Sequence, residues 1–127
     1  MNNRQAAPFV AMLVEDEPLI RMMAVDILTE AGFIVLETEH ADAAILMLEA
    51  KAEKMHALFT DIHMPGSMDG LGLAHHARLH WPWIGLMLAS GLKRPEAADT
   101  PEGSRFLAKP YSSGHLLEGV RELVAAI

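Results

Sequence analysis

The sequence contains no cysteine, few aromatic residues and no long apolar run. Without cysteine the chain has no disulfide, no thiolate zinc site and no thiol nucleophile, which is typical of proteins in a reducing compartment. The apolar runs at 9–14 and 84–89 are far shorter than the roughly 20 residues that a membrane-spanning helix needs. The N-terminus lacks the apolar stretch of a secretory signal. These absences favour a cytoplasmic protein that does not contact a membrane.

Basic residues are also scarce, since the chain has 10 Lys and Arg against 17 Asp and Glu and a net charge of −7. A chain of this charge is repelled by the phosphate backbone, so we expect no direct binding to nucleic acid. The length of 127 residues and the hydrophobic content of 51% suit one domain with a sizeable core. We expect an N-terminal tail over residues 1–8 and a single domain over 9–127.

Strand and helix patterns alternate along the chain. Short apolar runs predict five strands, at 9–14, 33–36, 55–59, 84–89 and 106–108. Apolar residues at helical spacing predict four helices, which begin near Pro18, Ala41, Gly70 and Ser112. The first helix is expected to stop at Gly32 and the last to reach Ile127. This alternation predicts an α/β fold in which a doubly wound parallel sheet carries helices on both faces.

The stretch from Gly91 to Gly103 interrupts this rhythm. Glycine and proline crowd it around one short segment, Glu96-Ala97-Ala98-Asp99. A full helix between the fourth and fifth strands is therefore doubtful, and we expect a short, displaced or mobile one.

Polar side chains occur where four of the predicted strands end. Glu15 and Asp16 close the first strand, Asp61 follows the third, Ser90 the fourth and Lys109 the fifth. A single acid at such a place is more often a helix cap than a ligand. However, the carboxyl ends of parallel strands line one crevice, so four such groups favour a shared functional site.

The residue types of this set indicate the chemistry. The acids Glu15, Asp16 and Asp61 would repel one another unless a hard cation lay among them, and Mg²⁺ suits carboxylates, a backbone carbonyl and water. Lys109 supplies a positive charge and Ser90 a hydroxyl donor, so the set can bind the anionic oxygens of a phosphoryl group. A carboxylate nucleophile at Asp61 could then form an aspartyl phosphate.

Four segments resemble the motifs of one known family, the receiver domains of bacterial two-component response regulators. They are Val-Glu-Asp-Glu-Pro at 14–18, Thr-Asp-Ile-His-Met-Pro-Gly at 60–66, Ala-Ser-Gly at 89–91 and Lys-Pro-Tyr at 109–111. The resemblance covers residues 9–127 and implies a flavodoxin-like, five-stranded sheet of order 2-1-3-4-5. It further implies a phosphoprotein of a two-component or phosphorelay pathway, here a single-domain response regulator, and not an enzyme.

The resemblance also assigns roles to residues. Asp61 is similar to the phosphoacceptor, and the metal ligands are expected to be Glu15, Asp16, Asp61 and the carbonyl of His63. Ser90 and Lys109 match the catalytic hydroxyl and lysine, Ser90 and Phe106 match the switch pair, and the Lys109–Pro110 bond is expected to be cis. The expected partners are a sensor histidine kinase or phosphotransfer protein, and an unidentified downstream protein. The switching face would combine the short helix between the fourth and fifth strands, the fifth strand, and the last helix, which begins near Ser112.

Two departures from the family pattern are visible in the same motifs. Glu15 stands where an aspartate is more frequent, and its longer side chain is expected to hold the cation through water. His63, two residues after the expected phosphoacceptor, occupies a position that influences the lifetime of the acyl phosphate, with a direction that the sequence leaves open. If the sequence is a full gene product, we expect output by protein contact or onward phosphoryl transfer; a fragment of a longer protein would have the same sequence.

Two other functions stay open at this point. A metal-dependent phosphatase on a similar scaffold could use His63 as its acid or base, although a lid insertion is missing. A receiver-like adaptor could bind partners without being phosphorylated. The methionines, among them Met22, Met23, Met47 and Met87, are expected to fill gaps in the core.

Overall fold

A computed structural model describes residues 8–125, which form five β-strands and four α-helices. The strands are β1 (Val10–Val14), β2 (Ile34–Thr38), β3 (Ala57–Asp61), β4 (Gly85–Ser90) and β5 (Arg105–Ala108). The helices are α1 (Pro18–Glu30), α2 (Ala41–Lys51), α3 (Gly70–His80) and α4 (Ser113–Ala125). None of the helices within this range combines the length and the apolar composition that crossing a lipid bilayer requires. Most of the predicted N-terminal tail lies outside the described residues. The predicted end of the last helix, Ile127, also lies outside them.

All strands are parallel and their order is β2-β1-β3-β4-β5, which confirms the flavodoxin-like fold. Successive residues of a strand point to opposite faces of the sheet. On one face Met12, Leu58 and Leu88 pack with α2 and α3, and on the other Leu13 and Phe59 pack with α1 and α4. Burial on both faces explains why the strands of the sequence are continuous apolar runs rather than alternating ones.

The predicted ends of two helices are confirmed in detail. Gly32 has a φ of +96°, its N–H donates to the Thr29 carbonyl (3.0 Å), and the Phe33 N–H donates to the Leu28 carbonyl (3.0 Å). These two bonds form the Schellman motif that ends α1. At the start of α4, the His115 N–H donates to the Ser112 hydroxyl (3.1 Å), so Ser112 is the predicted cap.

The predicted ends of several strands are wrong by one or two residues. The second, third and fourth strands were expected at 33–36, 55–59 and 84–89, but each continues into polar residues at its carboxyl end. Asp61 still pairs with Ala89, and Thr38 still pairs with Val14, because backbone hydrogen bonding does not stop where apolar side chains stop. Asp61 and Ser90 are therefore the last residues of β3 and β4 rather than the residues that follow them.

The connection between β4 and β5 contains one 3₁₀ turn, Ala97–Asp99, in place of an α-helix. The expectation that a full helix does not form between the fourth and fifth strands is thereby confirmed. The face that is expected to switch therefore includes the segment 91–104 in place of that helix. Side chains of α3 hold this segment: Nε2 of His75 lies 2.8 Å from the Asp99 carbonyl oxygen, and Arg78 donates to the Glu102 carbonyl (3.2 Å). The mobility of the segment stays a prediction.

Candidate functional site

Three carboxylates meet at the carboxyl edge of the sheet. Glu15 and Asp16 follow β1 directly and Asp61 ends β3, and these neighbouring strands bring one oxygen of each side chain within 4.8 Å of the others. Glu15 and Asp61 are buried, whereas Asp16 is exposed to solvent. The sequence-predicted acids are thus brought together in one cluster that is open to water on the side of Asp16.

Lys109 is the counter-charge inside this cluster. Its Nζ lies 2.6 Å from Oε1 of Glu15 and 3.2 Å from Oδ2 of Asp61. One ammonium among three carboxylates leaves an excess of negative charge. The three acid side chains offer only carboxylate oxygens as metal ligands. This donor set fits a divalent cation such as Mg²⁺, which prefers carboxylates and retains several waters.

Burial and charge together shift the pKa values at the site. Burial raises the pKa of the Glu15 carboxyl and the nearby Asp61 charge adds to the rise, against hydrogen bonds from Lys109 and the Glu17 N–H that lower it. Burial alone would lower the pKa of the Lys109 ammonium, but its contacts with the two acids outweigh burial, and the pKa is raised. Lys109 is therefore a fixed positive charge at neutral pH.

Tyr111 adjoins the cluster and was not predicted as a site residue, although it stands in the Lys-Pro-Tyr motif. Burial, followed by the charges of Glu15 and Asp61, raises its pKa to about 12. Its ring packs edge-on against Phe59, with 5.7 Å between the centroids. The Lys109–Pro110 bond before it is cis, as expected. Tyr111 forms an apolar wall beside the acids.

Ser90 ends β4 next to Asp61 and is buried. Its hydroxyl oxygen accepts a hydrogen bond from the Leu92 N–H (2.9 Å), and its carbonyl accepts one from the Lys109 N–H (2.9 Å). Ser90 is thus connected both to the lysine of the site and to the start of the segment 91–104.

Neither Phe106 nor the His63 side chain is a member of the cluster of three acids. Phe106 lies on β5, where it pairs with Leu88 of β4. Its ring is half-buried on the sheet face that α2 and α3 cover. The guanidinium carbon of Arg94 lies 5.3 Å from the centroid of its ring, a cation–π distance. His63 follows β3, and its side chain is exposed.

An apolar groove that the sequence did not predict borders the site. It has a volume of about 240 Å³ and is lined by Ile20, Met23, Lys109, Pro110 and Tyr111. The expectation that Met22 and Met23 fill the core is wrong: they are 60% and 61% exposed, and Leu19 beside them is 68% exposed. The spacing of apolar residues correctly predicts which side of α1 faces the core. Within α1, however, only Ala24 and Leu28 are fully buried.

A parallel sheet of this order, with acids and a lysine at its carboxyl edge, places the chain in the class of flavodoxin-like α/β domains whose site suits a cation and a phosphoryl group. The chain belongs to the response regulator receiver domain family, whose model matches residues 11–121. Its function is accordingly phosphoacceptor signalling in two-component systems. Receiver domains are signalling domains rather than classical enzymes, and the acidic cluster is of the kind that binds Mg²⁺ in them.

Solved structures and a curated relative agree with this membership. A response regulator receiver protein from Sinorhizobium medicae is 30% identical, with a TM-score of 0.87, over 94% of this chain and 96% of that one. The receiver domain of the hybrid histidine kinase CckA is also 30% identical, with a TM-score of 0.79, over 91% of this chain and 98% of that one.

The nitrogen assimilation regulatory protein NtrX of Azorhizobium caulinodans is 28% identical over 110 residues. The match covers 84% of this chain but only 24% of that protein. The chain thus spans about a quarter of the length of this curated relative.

Proposed function

We propose that Asp61 accepts a phosphoryl group from a phosphohistidine, with Mg²⁺ held by Glu15, Asp16, Asp61 and the carbonyl of His63. The observation that carries this proposal is the Asp61 carboxylate itself, which lies 3.2 Å from Lys109 Nζ and in one cluster with the two other acids. A carboxylate nucleophile needs charge compensation at the incoming phosphoryl oxygens, and the site offers it from the lysine and from the cation that the acids would hold.

The transfer exchanges one bond for another. A carboxylate oxygen of Asp61 forms a bond to phosphorus while the bond from phosphorus to the imidazole nitrogen breaks, and that nitrogen keeps the electron pair as the imidazole of the donor. The bound cation would neutralise part of the charge on the transferring oxygens. Lys109, released from Asp61, then donates to a phosphoryl oxygen while its contact with Glu15 keeps the ammonium in place.

Ser90 connects this event to the segment 91–104. Its hydroxyl oxygen accepts from the Leu92 N–H at 2.9 Å, and its own hydrogen can be donated to a phosphoryl oxygen. A turn of Ser90 toward the phosphoryl group releases the Leu92 amide, and the space it leaves is filled by Phe106 turning inward. Because Arg94 lies over Phe106, both changes converge on one face, formed by the segment 91–104, β5 and α4.

The donor is a sensor histidine kinase or a phosphotransfer protein, and we propose that it docks on the groove beside Lys109. Met23 lines that groove, Leu19 and Met22 are exposed on the same helix, and adaptable methionine side chains suit contact with more than one partner. Its position next to Asp61 would bring a histidine of the donor to the carboxylate. We further propose that residues 9–127 form the receiver unit, that the chain works in the cytoplasm, and that a downstream protein reads the switching face.

Intact-mass analysis tests the metal-dependent labelling. The chain is incubated with phosphoramidate and Mg²⁺ beside its Asp61→Asn variant, with Asp26→Asn, which alters an exposed acid of α1, as the matched control. We expect a gain of one phosphoryl group in the native chain and in Asp26→Asn, and none in Asp61→Asn or with EDTA. Equal labelling of Asp61→Asn, or labelling that EDTA leaves unchanged, would contradict the proposal.

A further inference from the structure

Gly70, the first residue of α3, lies against the main chain of Asp61. A Cβ atom at Gly70 would stand 1.8 Å from the Asp61 carbonyl oxygen, 2.7 Å from its carbonyl carbon and 2.9 Å from the Ile62 Cα. Ordinary contacts between carbon and a carbonyl oxygen are about 3.3 Å or longer, so any side chain would force this main chain back by more than about 1 Å. The neighbouring atoms are all backbone, and no side-chain rotation can relieve the overlap.

Conformation does not explain a glycine at this position. The glycines with positive φ are Gly32, Gly66 and Gly103 among the described residues, and Gly70 is not one of them. Its backbone is helical, a conformation in which glycine is less favourable than alanine. The requirement for glycine is therefore one of space, because the start of α3 touches the end of β3.

Hydrogen bonds fix this contact from both elements. The Gly70 N–H donates to the Ile62 carbonyl at 2.8 Å, and the Thr60 hydroxyl donates to the Asp61 carbonyl at 3.0 Å. Asp69 caps α3 by accepting the Gly72 N–H at 2.8 Å, which determines where the helix begins. Of these three bonds, the one from the Gly70 N–H to the Ile62 carbonyl joins the two elements, so the start of α3 cannot retreat from Asp61 without losing it.

We infer that Gly70 is a positioning residue for Asp61, an inference that rests on the proposed role of Asp61 as phosphoacceptor. Aspartate has a short side chain, so the place of its carboxylate follows the place of its main chain. A displacement of about 1 Å would take the carboxylate out of reach of the Lys109 ammonium and the other acids, and misplacements of that size cost roughly 100-fold in rate. The close approach permitted by Gly70 holds the nucleophile in line with its counter-charges.

Gly72 provides the matched control. It lies in the same first turn of α3, and a Cβ there would meet Cγ of Met68 at 2.9 Å and Oδ1 of Asp69 at 3.5 Å. The methionine side chain can move aside, so Gly72→Ala changes the helix propensity in the same way as Gly70→Ala without pushing on Asp61.

The test compares the native chain, Gly72→Ala and Gly70→Ala by their rate of labelling with phosphoramidate at saturating Mg²⁺, over a range of donor concentrations. Circular dichroism gives the folded fraction, so each rate is expressed per folded molecule. We expect the maximal rate of Gly70→Ala to fall about 100-fold with little change in the half-saturating donor concentration, and Gly72→Ala to match the native chain. A purely structural role would lower only the folded fraction.

Marginal folding of Gly70→Ala is corrected by adding sucrose to all three samples until their spectra coincide. A rate per folded molecule equal to that of Gly72→Ala would overturn the inference, as would a variant that stays unfolded in sucrose, since Gly70 would then serve folding alone. If the native chain and Gly72→Ala are themselves not labelled, the proposed function fails, and this inference fails with it. Equal labelling of all three proteins removes only the role of Gly70.

Discussion

Lys109 Nζ lies 2.6 Å from Glu15 Oε1, closer than the 3.2 Å that separates it from Oδ2 of Asp61. The lysine therefore joins the two buried acids, and its shorter contact is to the acid that departs from the usual family pattern. The extra methylene of Glu15 lets its carboxylate reach the lysine while its second oxygen accepts the Glu17 N–H. The stability of the site depends on this bridge.

Replacing Lys109 by methionine should destabilise the chain by about 1–3 kcal/mol in EDTA, because two buried carboxylates lose their counter-charge. Saturating Mg²⁺ should reduce this loss, since a cation bound to the acids replaces the missing charge and binds the folded state alone. Urea unfolding with EDTA or Mg²⁺ measures both values. Lys93→Met, at an exposed position, should change the free energy of unfolding by less than about 0.5 kcal/mol. The same loss for Lys109→Met with and without Mg²⁺ would contradict a cation site at these acids.

Glu15 gives the chain a pH dependence of known sign. Its pKa in the folded state is raised above the ordinary value of 4.5, so the folded chain keeps this proton to higher pH than the unfolded chain does. The resulting stability is complete below the unfolded pKa and is lost as pH rises through the folded pKa. Glu15→Gln stays neutral, so its free energy of unfolding relative to the native chain should improve as pH rises from 4.5 toward neutrality in EDTA. Urea unfolding across this range checks the slope, and a constant difference would refute it.

Tyr111 is the only tyrosine of the sequence, so its ionisation can be followed by the ultraviolet absorbance of tyrosinate. The folded chain should titrate with a pKa of about 12, and the urea-unfolded chain near the ordinary value of 10.0. Because the folded pKa is raised, the stability that neutral Tyr111 contributes should be lost as pH rises from 10.0 to about 12. Tyr111→Phe should show no such absorbance change. If Tyr111 in the folded chain titrated with its ordinary pKa of 10.0, it would not be buried beside the acids.

Ser90→Ala should leave phosphorylation of Asp61 possible but weaken its effect on the segment 91–104. The alanine side chain has no hydroxyl that could turn from the Leu92 N–H toward a phosphoryl oxygen. Phosphorylation therefore cannot release the Leu92 amide and change the segment. Hydrogen exchange of the phosphorylated and unphosphorylated forms measures the effect. Ser67→Ala, which removes an exposed hydroxyl bound to Asp42, should respond as the native chain does. An undiminished exchange difference in Ser90→Ala would show that the signal leaves the site by another route.

Most of the fold could be predicted from the sequence, because parallel strands buried on both faces and amphipathic helices leave strong apolar patterns. The places of Glu15, Asp16, Asp61, Ser90 and Lys109 could also be predicted, since each lies at a strand end and the carboxyl ends of parallel strands meet. Strand ends were less accurate, because pairing continues through polar residues such as Asp61.

Other features depend on three-dimensional distances that no pattern records. Met23 has the spacing of a core residue but lies at the edge of the α1 stripe, where it borders a groove. The need for glycine at Gly70 arises from a contact between two elements and not from its own backbone conformation. The role of Tyr111 as a wall of the site follows from the packing of its ring on Phe59.

Mapping the modified residue tests the central proposal most directly. The chain is labelled with phosphoramidate and Mg²⁺, the acyl phosphate is reduced with borohydride to homoserine, and tandem mass spectrometry of the digest locates that homoserine. We predict homoserine at position 61 and at no other acid of the sequence, including the neighbouring Asp16. Homoserine at a different position, or its complete absence from a chain whose intact mass had shown one phosphoryl group, would contradict Asp61 as the phosphoacceptor.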